Sequence, residues 1–98
     1  MPVVVGVSLI QLYLPGSHSL KDKRSVVKSL TARINHEFNV SCSEVDHQDV
    51  WQSAALGVAV VSNNAAHIQD VLGHVIAWIE RNRPDVEVID HSVEIIHE

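Results

Sequence analysis

Two stretches of this chain, Val3–Leu14 and Trp51–Val61, leave neither face polar when read at the two-residue period of a strand. In the first, Val3, Val5, Val7 and Leu9 fall on one side and Val4, Ile10 and Leu12 on the other. In the second, Ala54, Leu56, Val58 and Val60 oppose Ala55, Ala59 and Val61. A strand with one side in water alternates apolar with polar residues, so a doubly apolar strand belongs in the interior of a sheet and calls for cover on both faces. Both stretches must therefore be central. With 98 residues available, that requirement leaves room for one domain, spanning 1–98, and one modest core.

The segments between them follow from this. Pro15-Gly16 ends the first strand. Ser19 with Asp22 three residues on has the form of a capping box, predicting a helix from about Leu20. Leu20, Val26, Val27, Leu30 and Ile34 share one arc of that helix, while Lys21, Arg24 and Lys28 share an outward stripe. Lys23 lies inside the apolar arc, so its stem is expected to pack while its ammonium reaches past the helix end. Phe38, Val40 and Cys42 alternate with Asn39, Ser41 and Ser43, predicting a half-buried edge strand, with Cys42 a buried small hydrophobe. Ser62-Asn63-Asn64 offers caps for a second helix, which carries Ile68, Val71, Leu72, Val75, Ile76 and Ile79 on one stripe and ends before Pro84. Val86–Ile96 reads as a strand whose parity switches, predicting a bulge near Asp90-His91.

The order is β-α-β-β-α-β. Two interleaved right-handed crossovers then give an α+β fold, the ferredoxin-like plait: a four-stranded antiparallel sheet with both helices on one face. The other face keeps apolar residues from both central strands, and such a patch usually marks a contact. A homodimer through the open sheet face is the expected partnership.

Charge divides the chain unevenly. The net charge is −5, yet His18–His36 holds five basic residues and one acid, whereas everything from Glu37 onward holds two basic residues and eleven acids. The basic segment opens with Ser17, His18, Ser19, Lys21, Lys23 and Arg24 and continues to Lys28. Cations at a helix start oppose the positive end of the backbone dipole, so these seven residues are the candidate contacts for an anion or for RNA. Base stacking on the sheet is not expected, because the central strands carry only Tyr13 and Trp51, both near strand ends.

Other constellations carry less. Asp46, His47 and Asp49, with His91 nearby, and the row His67, Asp70 and His74 lack a recognised ligand motif, so no metal and no cofactor is expected. Only one glycine and no arginine precede Ser17 in the first strand-to-helix turn, and no nucleophile, base and orienting acid converge. No catalytic residue and no enzyme are expected. Cys42 is the single cysteine, which excludes an internal disulfide or a CxxC pair and favours a reducing cytoplasm. The apolar opening MPVVVGVSLIQLYL lacks a basic leader and a cleavage site and is too short to span a bilayer, so no membrane is expected.

The segments SHSLKDKRSVVKSL, FNVS, EVDHQDVWQ and LGVAVVS, in this order, resemble the YlxP-like family of small bacterial proteins of unknown function. The positions that match its motifs are Ser17, His18, Ser19, Leu20, Lys21, Lys23 and Arg24, then Phe38, Asn39, Val40, Ser41, Glu44, Asp49 and Trp51. The resemblance implies a ferredoxin-like fold and a gene neighbourhood of translation-initiation and ribosome-maturation factors. It implies no catalytic or ligand residues. Two readings follow. The first is a non-enzymatic binding protein of the ribosome or translation machinery, meeting ribosomal RNA or another anionic partner through the basic helix start. The alternative is a plait dimer that senses a small anionic ligand there.

Overall fold

The computed structural model describes residues 2–98. Along the chain run β1 (Val4–Tyr13), α1 (Leu20–Glu37), β2 (Ser41–Asp46), β3 (Ser53–Ser62), α2 (Ala65–Asn82) and β4 (Glu87–His97). The sheet order is β2-β3-β1-β4, with every pairing antiparallel. The two doubly apolar strands are thus the central pair, and the fold is the α+β plait that the order predicts.

One face of the sheet carries both helices. Ile10 and Leu12 of β1 and Leu56, Val58 and Val60 of β3 meet Val27, Leu30 and Ile34 of α1 and Ile68, Leu72, Val75 and Ile79 of α2 in a single core. Gly6 sets how closely α2 sits, because a Cβ there would collide with Ile68 Cγ2. Among the described residues nothing covers the opposite face: Val7, Leu9 and Tyr13 of β1, Val61 of β3 and Ile96 of β4 are all exposed.

The helix starts are capped locally. Ser19 Oγ accepts the Asp22 N–H, and the Asp22 carboxylate accepts the His18 N–H, so the reciprocal half of the box falls one residue before the cap. At α2 the cap is Asn64, whose Oδ1 accepts from Ala66 and His67. No helix is long and apolar enough to cross a membrane among the described residues.

Three boundaries differ from the sequence reading. Phe38 closes α1 through its N–H to Ile34 O, and its ring meets Trp78 of α2 edge-on at 6.5 Å, so its apolar contact is helix to helix. The strand begins only at Ser41. Trp51 lies in the β2–β3 connection, outside β3, because the ladder with β1 starts at Ser53. The β4 bulge falls at Ile89: Gln11 faces Asp90 while Leu12 faces Val88, one residue earlier than the parity switch suggested.

Candidate functional site

Lys23 resolves first. It occupies the apolar arc of α1 and is fully enclosed, with its ammonium 2.5 Å from Glu44 Oε2 on β2 and 2.5 Å from the His47 carbonyl oxygen. Glu44 Oε2 is itself buried and, among the described residues, meets no donor other than that ammonium. The His47 carbonyl also accepts the Val50 N–H, and His47 holds φ at +63°, a left-handed conformation that turns this oxygen toward α1. The ion pair therefore ties the start of α1 to the β2–β3 hairpin. Lys23 has no free charge to offer at the surface.

Ser17 also turns inward. It is buried, donates its N–H to Leu14 O and accepts from Gln52 Nε2, fixing the chain between β1 and α1. Ser19 is occupied as the cap. What remains outside is a stripe of Lys21, Arg24 and Lys28 on α1, with His18 exposed beside its start. Among the described residues none of those three cations has a carboxylate within ion-pair reach. By contrast Arg33 pairs with Glu37 and lies 5.7 Å from the Trp78 ring centre, and Arg83 grips Asp85 through Nε and Nη2 at 2.9 and 2.7 Å.

A shallow dimple of about 420 Å³ adjoins the helix start, lined by Gly16, Ser17, Asp22, Ser25, Val26 and Asp85. Its two charged walls are carboxylates. Hydrogen bonds from Arg83 hold the Asp85 carboxyl below the usual range, so it stays ionised at neutral pH. That environment opposes a small anion at the helix terminus.

The remaining candidates are engaged elsewhere. Asp46 Oδ1 accepts the His47 N–H within the hairpin turn, and among the described residues no three of His, Cys, Asp or Glu gather at metal-holding distance. Burial pushes the Cys42 thiol up to about 11, which keeps it protonated and unreactive at neutral pH. Two residues escaped the sequence reading as structural partners. Glu44 looked like one acid among eleven; only its inward parity with Cys42 on β2 hinted at burial. Asn35, on α1, pairs with both backbone groups of Cys42, and nothing local signals that contact.

Residues 5–93 match the family model described as "Protein of unknown function (DUF503)". Among curated proteins, the "Uncharacterized protein YlxP" of Bacillus subtilis (strain 168) is 34% identical over 84 residues, covering 86% of this chain and 90% of that protein. Among solved structures, the "De novo designed protein Foldit4" aligns over 100% of this chain and 97% of its own at 13% identity, with a TM-score of 0.43. The chain belongs to the DUF503 family.

Proposed function

We propose that this member of the DUF503 family is a non-enzymatic binding protein whose α1 stripe holds an extended polyanion, an RNA segment of the ribosome or translation machinery. The observation that carries this reading is the stripe itself: Lys21, Arg24 and Lys28 stand exposed and unpaired among the described residues of a chain whose net charge is −5. Seven residues at 1.5 Å rise span about 10 Å. At one charge per about 3.4 Å of strand, that length matches about three phosphates. The translation link rests on the gene neighbourhood that the resemblance implies.

The small-anion sensor is supported less well. Its ligand would sit at the α1 terminus, where Ser19 already caps the backbone and Asp22 and Asp85 line the adjoining dimple. A homodimer through the open sheet face accompanies the main reading, supported by exposed Val7, Leu9, Val61 and Ile96 on that face.

The test is binding of a short single-stranded RNA by fluorescence anisotropy as salt is raised, together with co-sedimentation with ribosomal particles. Three phosphate contacts predict a slope of log affinity against log salt near −2. Replacing Lys21, Arg24 and Lys28 by glutamine should flatten that slope and release the protein from the particles without lowering its melting temperature. An unchanged slope and unchanged sedimentation in this variant would overturn the reading.

A further inference from the structure

A second recess lies far from the basic stripe, between α2 and the edge strand β4. Along α2 the residues Gln69, Gly73 and Ile76 form one row facing His91 and Val93 of β4, and the space between them is about 290 Å³. A Cβ placed on Gly73 would meet nothing within 4 Å, so the helix leaves the recess open at its middle turn. Ser8 of β1 lies opposite Val93 and lines the same recess. Ser8 is 2% exposed, and its hydroxyl has no hydrogen-bond partner among the described residues.

An unpaired hydroxyl in the core of a sheet is destabilising, and a valine or alanine would serve the packing better. A buried polar atom of this kind calls for an explanation, and the recess beside it supplies one once the side chains lining its floor yield to a ligand, since the hydroxyl itself is closed to solvent. The recess is walled by Leu72, Ile76 and Val93 and offers hydrogen-bonding groups from Ser8, Gln69 and His91, with no carboxylate, lysine or arginine in its lining. Apolar walls with a few convergent polar groups are the composition of small-molecule sites. With no fixed opposite charge to compensate, an ionised head group would lose its hydration there.

We propose that this recess binds a small neutral amphiphile, whose carbonyl or amide oxygen accepts from the Ser8 hydroxyl while a short apolar body lies against Leu72, Ile76 and Val93. The site is independent of the α1 stripe.

The probe is caprolactam, a cyclic amide, titrated into the isotopically labelled protein while the backbone amide shifts of Ser8, Gly73 and Val93 are followed. Hexanoate, ionised at neutral pH, is the comparison. The expected result is saturable shifts at these residues with caprolactam, and at least tenfold weaker binding of hexanoate. Ser8→Ala should weaken caprolactam about five- to tenfold, as expected for one hydrogen bond, while leaving the melting temperature unchanged or higher. Gly73→Leu fills the open turn with a better helix former, so the variant folds while its caprolactam shifts vanish. Non-saturating shifts, hexanoate binding as tightly as caprolactam, or caprolactam shifts that survive Gly73→Leu would each overturn the proposal. So would a Ser8→Ala variant that melts lower, since the hydroxyl would then have an internal partner.

Discussion

Lys23 shows how one side chain can carry opposite meanings in sequence and in space. Its charge suggested a surface contact, and its helical phase suggested the core; the phase prevails, because Glu44 and the His47 carbonyl complete its bonds. Phase was legible, since it needs only the spacing from Leu20 to Leu30. The partner was not, since Glu44 lies across a helix and a turn and no local pattern links them. Breaking a buried pair on one side leaves the other charge uncompensated, at a cost of about 3–5 kcal/mol. Glu44 keeps 18% of its side chain in water, so Lys23→Met should fall at the lower end, about 3 kcal/mol, by denaturant unfolding. Adding Glu44→Leu should recover a large part of that loss. If the double variant is as unstable as the sum of the two single ones, the pair is not coupled as described. Cys42 gives a second residue-scale forecast. Burial holds its thiol protonated to about 11, against 9.0 for an ordinary thiol, so the unfolded chain loses this proton first as pH rises. Stability is therefore intact below pH 9 and declines between 9 and 11, by about 2 kcal/mol from this group. Stability measured across that window should decline less steeply in Cys42→Ala, although other groups titrate in both proteins. Parallel curves would contradict the assignment.

Elements were the scale at which the sequence was most readable. Helical stripes, the Ser19 cap and the central position of two doubly apolar strands all follow from periodicity and need no tertiary knowledge. The misplaced boundaries share one cause: Phe38 and Trp51 are apolar residues beside strands, and apolarity alone does not say whether the neighbour is a sheet or a helix. Phe38 finds Trp78 of α2. How β2 is held was equally invisible. This strand is six residues long and lies at an edge, with an unpaired row of backbone groups. Asn35 satisfies part of that row, because its Oδ1 accepts the Cys42 N–H and its Nδ2 donates to Cys42 O, both at 2.9 Å. A single amide thus stands in for a neighbouring strand and docks β2 onto α1. Asn35→Ala should cost about 1–3 kcal/mol through two orphaned backbone groups. Amide exchange should quicken at Cys42 first, whereas a loss spread evenly over the sheet, with Cys42 no faster than Val58, would show that the contact does not anchor the strand.

Taken whole, the molecule separates its surfaces. The helices and their basic stripe lie on one side of the sheet, and the uncovered apolar face lies on the other. Two copies joined face to face through their sheets would therefore point their α1 stripes outward, away from each other. This geometry decides what dimerisation can contribute to binding. On the proposed reading, a short RNA would reach only one stripe, so its affinity and its salt slope would be set within one chain. A long or folded RNA that reaches both stripes gains from effective concentration, which can multiply affinity 10²–10⁴-fold without any new contact. Light scattering at micromolar concentration should give about twice the 10.8 kDa chain mass. Leu9 is the place to break the proposed dimer: it is 39% exposed on the open face and pairs with Gly57 and Ser92, so a charge there leaves the helix-side core untouched. Leu9→Lys should give a folded monomer that binds short RNA as the native protein does, with the same slope near −2, but no longer travels with ribosomal particles at moderate salt. A native protein that is already monomeric removes the dimer from this account and leaves the stripe standing. A monomeric Leu9→Lys variant that loses short-RNA binding as well would mean that the sheet face, and not α1, carries the contact.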